Sequence, residues 1–167
     1  MHLRLALAAA LILAPSAALA DQTGQYWGMS VDNAKLDAPD NGREGYATNL
    51  GLHAGYHFGD FVAAEVQVGG SPAGGIGDPY YAAGFGRFNL PFEKVNVYLL
   101  AGAAAVSFDG GGPDGRDTET DLAGGIGVEL YGTEHTGVRF EYTNLADGTY
   151  QKLGLGFVHY FDWPAFR

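Results

Sequence analysis

Hydrophobic and polar positions alternate along most of this chain. In 49–58, Leu50, Leu52, Ala54, Tyr56 and Phe58 stand opposite Asn49, Gly51, His53, Gly55 and His57. In 61–70, Val62, Ala64, Val66 and Val68 oppose Glu65 and Gln67. In 119–130, Leu122, Gly124, Ile126, Val128 and Leu130 oppose Glu119, Asp121, Ala123, Gly125, Gly127 and Glu129. In 138–143, Val138, Phe140 and Tyr142 oppose Arg139, Glu141 and Thr143. A period of two with one apolar face is the signature of a β-strand between unlike surroundings. The pattern predicts eight strands, at 23–33, 45–58, 61–70, 79–92, 95–108, 117–130, 136–146 and 150–161. Both faces of 95–106 are apolar, so its orientation stays open.

The connections add a second rhythm. Polar stretches at 34–44, 71–78 and 109–116 alternate with tight turns at Gly59-Asp60, Glu93-Lys94 and Gly132–His135. Only 146–149, on the long-loop side, is short. Long connections at one end and short turns at the other suit an antiparallel up-and-down barrel. A tilted strand needs about nine to eleven residues to cross a bilayer, and these runs reach that length.

Alternation alone fits a soluble barrel as well, with its faces inverted. Two details favour the membrane. The polar parity is rich in glycine, at Gly51, Gly55, Gly125, Gly127, Gly154 and Gly156. A narrow lumen filled by side chains needs small residues beside a few large charged ones. Aromatics also gather near strand ends, as interfacial girdles do. Tyr26, Trp27, Tyr56, Phe58, Phe88, Phe92, Tyr98, Tyr131, Tyr160 and Phe161 are assigned to one girdle; Tyr46, Tyr80, Tyr81, Phe108 and Tyr150 to the other.

Composition narrows the picture further. Residues 1–20 read as a secretory signal: Arg4 in a short basic start, an apolar run from Leu5 to Leu13, and Ala18-Leu19-Ala20 before Asp21. The run is too short to span a bilayer as a helix. Residues 21–161 are then the barrel, and 162–167 a periplasmic tail. The formal net charge is −10, one unit more negative once Arg4 leaves with the signal. That excludes a nucleic-acid partner, which requires a basic face. With no cysteine, an exported chain must be stabilised without disulfides.

These residues resemble the small outer-membrane barrels of the OmpA/OmpX type, also called porin-like outer-membrane β-barrel domains. The likeness covers nearly all of 21–161. It is carried by Gly24-Gln25-Tyr26-Trp27-Gly28, Val62-Ala63-Ala64-Glu65, Gly84-Phe85-Gly86-Arg87-Phe88, Val97-Tyr98-Leu99-Leu100-Ala101-Gly102 and Leu153-Gly154-Leu155-Gly156-Phe157. It implies an eight-stranded antiparallel transmembrane barrel with both ends periplasmic. Family members usually end on a Phe with an aromatic two residues earlier. Here Phe161 is the strand-closing aromatic, His159 holds the earlier place, and Asp162 to Arg167 follow.

Five charged residues fall on the inward parity: Glu65, Arg87, Glu129, Arg139 and Glu141. Unpaired buried charges cost several kcal/mol each, so these are expected to form a lumenal ion network, with Arg139 paired to Glu129. His53 and His57 lie four residues apart on a strand, about 13 Å, too far to share one metal ion. They are expected to be lumen histidines with satisfied partners. Asp109 to Asp117 lacks the closing Glu and spacing of a calcium loop and reads as a solvated acidic loop. Small outer-membrane lipid A deacylases resemble this chain in size and carry His-x-Ser-Asn in a late strand. Here that stretch is Glu141-Tyr142-Thr143-Asn144, so no Ser–His pair is present.

The expectation is therefore a non-catalytic, monomeric outer-membrane barrel with an envelope structural or surface-interaction role, holding no cofactor or metal. Its partners would be outer-membrane lipid, lipopolysaccharide and the outer-membrane assembly machinery. The competing functions are a lipid A-modifying enzyme and a small pore.

Overall fold

A computed structural model describes residues 24–38, 43–72, 78–109, 115–133 and 135–161. The expected leader 1–20, the expected tail 162–167 with Phe166, and the centre of the 109–117 loop lie outside the described residues.

The strands are β1 (Gly24–Ala38), β2 (Arg43–His57), β3 (Val62–Gly70), β4 (Tyr80–Pro91), β5 (Val95–Asp109), β6 (Arg116–Tyr131), β7 (Thr136–Leu145) and β8 (Tyr150–Tyr160). Each pairs antiparallel with the next, and β8 pairs with β1, so the barrel is closed. Closure leaves no sheet edge along the wall, which is what permits strands to lie in lipid. β1 and β2 run past the expected strand limits because their alternation continues through Ala34 and Leu36, both buried.

The faces are inverted relative to a soluble barrel. Leu50, Leu52, Val66, Phe88, Leu99, Ile126, Phe140, Leu153 and Leu155 all point outward and are exposed. Asp32, Asn49, Glu65, Gln67, Arg87, Asn96, Glu129, Arg139 and Lys152 point inward and are buried. Water on the outside would penalise this arrangement, whereas hydrocarbon stabilises it.

Strand β5 resolves the open orientation. Asn96, Tyr98, Leu100, Ala104, Val106 and Phe108 face inward; Val95, Val97, Leu99, Ala101 and Ala103 face outward. Both parities are apolar because one meets lipid and the other builds a core. That core, with Leu36, Phe85, Leu145 and Tyr150, fills the lumen toward the long-loop end.

Membership of the girdles is corrected in the same way. Tyr26, Tyr81, Tyr98, Phe108 and Tyr150 are buried inside the barrel rather than at its lipid-facing rim, and Tyr160 packs inward beside Tyr26. Inward parity wins over position near a strand end. Trp27, Phe58, Phe61, Phe88, Phe92 and Phe161 remain exposed at the short-turn end, and Tyr46 and Tyr80 at the other.

Two hairpins outreach a neighbour on one side only: β1 stays paired with β8 to Leu36↔Tyr150 and β5 with β4 to Tyr80↔Ser107, while β2 and β6 run past β3 and β7. The β1–β2 ladder continues to Ala38↔Arg43, while β2–β3 pairing stops at Leu50↔Gly70. The β5–β6 ladder continues to Asp109↔Arg116, while β6–β7 stops at Gly124↔Asn144. Between β7 and β8 the chain turns through a single 3-10 turn, Ala146–Gly148. Ala146 and Asp147 take positive φ there, a conformation that disfavours side chains.

At the last strand, the Phe161 amide donates to the Gln25 carbonyl at 2.9 Å, one residue beyond the assigned end of β8. Its ring meets His159 edge-on at 5.0 Å, and His159 stacks on Phe157 at 6.5 Å. The imidazole thus occupies the aromatic place in the closing ladder. Phe161→Ala is expected to lower the heat-modifiable folded fraction in membranes, while His159→Phe preserves it. Equal loss in both variants would mean that His159 acts through its nitrogens.

Candidate functional site

The lumen is organised around two guanidiniums. Arg87 comes from β4 and Arg139 from β7, on inward positions of strands on opposite sides of the interior. Arg87 grips Glu129 with two bonds, Nη1 to Oε1 at 2.9 Å and Nη2 to Oε2 at 2.6 Å. Its Nη1 also reaches Glu65 at 3.3 Å, and its Nε donates to Asn89 at 2.7 Å. Arg139 grips Glu65 in the same forked manner, at 3.0 and 2.7 Å. Its Nε donates to Glu141 at 3.0 Å, and its Nη2 makes a further short contact to that carboxylate. Paired N–H donors meeting paired oxygens are the strongest arrangement an Arg–carboxylate contact has.

The structure thus brings Glu65, Arg87, Glu129, Arg139 and Glu141 together. It redistributes the expected pairing. Glu129 and Arg139 stand directly opposite in the β6–β7 ladder, yet the hydrogen bonds of Arg139 go to Glu65 and Glu141. The long Arg139 side chain reaches across the lumen to β3, and Arg87, arriving from β4, takes Glu129. Proximity along the wall is outweighed by reach across a narrow interior.

Tyrosines complete the network. Tyr26 donates to Glu65 at 2.6 Å, Tyr98 to Glu141 at 2.8 Å and Tyr160 to Glu129 at 2.7 Å. Gln67 donates to both Glu65 and Glu141, at 2.7 and 2.9 Å. The Tyr98 ring lies 3.8 Å from the Arg87 guanidinium carbon and 4.8 Å from that of Arg139. Glycine makes this possible. A Cβ at Gly127 would fall 2.1 Å from the Tyr98 ring, and one at Gly55 would fall 2.4 Å from Tyr26. Gly127 and Gly55 are therefore seats for inward tyrosines.

Lys152 and Asp32 extend the network toward the long-loop end. Lys152 Nζ lies 3.5 Å from Glu141 and 3.7 Å from Asp32, and the Tyr81 hydroxyl approaches Asp32 at 3.4 Å. Among the described lumenal residues, Asp32, Glu65, Glu129 and Glu141 face Arg87, Arg139 and Lys152. Beside Lys152 is a cavity of about 10 Å³, lined in part by Asp32, His53, Gln67 and Tyr81. That is about the space one water needs.

The histidines are lumenal but are not satisfied as expected. Neither His57 ring nitrogen, nor Nε2 of His53, meets a hydrogen-bond partner among the described residues. His57 instead packs as a ring against Tyr26 at 5.0 Å and Tyr160 at 5.8 Å. The enzyme-like stretch is divided by the wall: Glu141 and Thr143 are buried inside, while Tyr142 faces outward. The Glu141 carboxylate is committed to Arg139, so these residues do not form one lipid-facing site. Among the described residues, no group of three His, Cys, Asp or Glu is placed to hold a metal ion.

Arg139→Met is expected to destabilise the barrel by about 3–5 kcal/mol, because Glu65 and Glu141 lose a buried partner. The joint change Arg87→Met with Glu129→Leu should cost much less than the sum of its singles. Gly127→Val should cost about 1–3 kcal/mol by displacing Tyr98. Urea titration of the heat-modifiable form measures all three; additivity of the Arg87 and Glu129 changes would refute the pairing.

A family model described as an outer membrane protein beta-barrel domain matches residues 5–161. The N-terminal β-barrel domain of Pseudomonas aeruginosa OprF superposes with a TM-score of 0.65 at 17% identity, covering 85% of this chain and 100% of that one. Neisserial surface protein A gives 0.63 at 19% identity, covering 83% and 98%. Ail, the attachment invasion locus protein of Yersinia pestis, gives 0.55 at 17%, covering 86% and 100%. No curated protein matches the sequence. The closed eight-strand wall, its inverted faces and the family match lead to one conclusion: this chain belongs to the outer membrane protein β-barrel domain family, and its place is the outer membrane.

Proposed function

We propose that the protein is a non-catalytic outer-membrane barrel with an envelope structural or surface-interaction role. In this reading it is exported through a cleaved leader, residues 1–20, and works as a monomer. Residues 162–167 lie in the periplasm, and lipid and lipopolysaccharide surround its wall. The carrying observation is the filled lumen. Arg87, Glu65 and Glu129 have no exposed side-chain surface, and an apolar core lies above them. An ion would have to break forked Arg–carboxylate pairs to pass, and the cavity of about 10 Å³ beside Lys152 has space for no more than about one water.

The surface-interaction half rests on the long β1–β2 and β5–β6 hairpins. Their β2 and β6 arms run past the ends of β3 and β7 at the long-loop end. Ail is named the attachment invasion locus protein, and a role at the cell surface is the part of that description we extend to this chain.

Planar-bilayer recording of the purified barrel should show no discrete conductance. Mass spectrometry of lipid A, with and without expression, should show the same acyl pattern. Steady single-channel steps would replace this reading with a pore, and an altered acyl count with an enzyme.

A further inference from the structure

Among the described residues, the lumenal charges form one alternating chain. It runs Glu129, Arg87, Glu65, Arg139, Glu141, Lys152, Asp32, each within ion-pair distance of the next. Acids and bases alternate along it, so both ends are carboxylates.

The two ends are served differently. Glu129 receives two bonds from Arg87, the Tyr160 hydroxyl at 2.7 Å and the Asn96 amide at 3.5 Å. Asp32 has only long neighbours, the Tyr81 hydroxyl at 3.4 Å and Lys152 Nζ at 3.7 Å, both at Oδ2. Its Oδ1 meets no donor among the described residues, although Asp32 is only 1% exposed. A buried acceptor in that position has lost its hydration and gained nothing for it.

Small inward residues open a hole at this end. Gly156, Ser30 and Gly51 stand side by side across β8, β1 and β2. The cavity of about 10 Å³ lies there, with Ser30, Asp32, Gln67 and Lys152 in its lining. The lining lacks partners of both kinds. Gln67 donates its side-chain amide to Glu65 and to Glu141, which fixes Oε1 as its unpartnered atom. Lys152 has three hydrogens to donate. Yet its carboxylate neighbours stand 3.5 and 3.7 Å away, beyond the usual range of about 2.7–3.2 Å. Two acceptors and one donor, on residues more than nine-tenths buried, therefore line one cavity the size of a water.

We propose that this cavity is a binding site for one water molecule, which accepts from Lys152 and donates to Asp32 Oδ1 and Gln67 Oε1. The water ties the closing seam, β1 with β8, to β3 across the lumen. The chemistry selects water over a metal cation. Lys152 and Arg139 both line the cavity and would repel a cation, and Lys152 needs an acceptor that a cation cannot supply. It also selects water over empty space, since dry cavities are apolar. The site follows from the lumen's geometry alone, so conductance and lipid A chemistry do not bear on it.

The test is a crystal structure of the detergent-solubilised barrel at a resolution that shows waters. Wild type should show one density peak in the cavity, about 2.7–3.2 Å from Lys152 Nζ and from the two unpartnered oxygens. An empty cavity overturns the site. So does an anomalous peak there after growth in a thallium salt, which marks a monovalent cation. Stability in urea gives an independent reading. Ser30→Ala removes the hydroxyl and keeps the hole, whereas Ser30→Val fills it. Filling a dry hole with methyl groups stabilises a fold or leaves it unchanged. Displacing a water strands Asp32 Oδ1 and Gln67 Oε1, so Ser30→Val should have a folded-to-unfolded ratio about tenfold below that of Ser30→Ala. A Ser30→Val barrel as stable as Ser30→Ala, or more so, overturns the proposal. Where Ser30→Val does not assemble, the wild-type density decides alone.

Discussion

Everything in the lumen follows from the need to neutralise two guanidiniums buried in a closed wall. An eight-stranded barrel leaves an interior just wide enough for side chains. Once Arg87 and Arg139 enter it, each needs a carboxylate in forked geometry, because a buried unpaired charge is far costlier than a paired one. Glu129 and Glu65 meet that need, and Glu141 takes the remaining Arg139 donor. The tyrosines then satisfy the remaining oxygen lone pairs, and the glycines make room for the tyrosines. The order of dependence runs from charge to hydrogen bond to ring to glycine.

The wall and the network answer to different solvents. Outside, apolar residues are stabilised by hydrocarbon, and the strands must satisfy every backbone polar group by pairing. Inside, the same strands present polar groups to one another across a few ångströms. The lumen is therefore layered: rings and His57 toward the short-turn end, ions in the middle, and apolar side chains from β5 toward the outer end. A polar lumen open to water would not need the last layer.

Much of this was legible in the sequence. Period-two alternation placed all eight strands within a few residues, and its parity pointed Glu65, Arg87, Glu129, Arg139 and Glu141 inward. The same parity also covers Lys152, two residues before Gly154, and Asp32, four after Gly28; extending it would have found both. Partner choice was not legible, since it depends on which long side chains meet across the interior rather than along the wall. Strand β5 was opaque because both of its surroundings are apolar, and periodicity reports only a contrast between faces. The aromatics were misassigned where position near a strand end was allowed to override parity, as at Tyr26, Tyr98 and Tyr150. The small outward residues of β4 and β5 read only as a run of alanine and glycine until the register set Ala82, Gly84 and Gly86 beside Ala105, Ala103 and Ala101.

The enclosure of the ions has a consequence for the cell's surroundings. Counterions screen charges over about 8–10 Å at ordinary ionic strength, but only where they can approach. Arg87, Glu65 and Glu129 are shut behind rings on one side and an apolar core on the other. Exposed carboxylates such as Asp117 and Asp121 feel a change in ionic strength, while the bonds that hold the barrel's centre together do not.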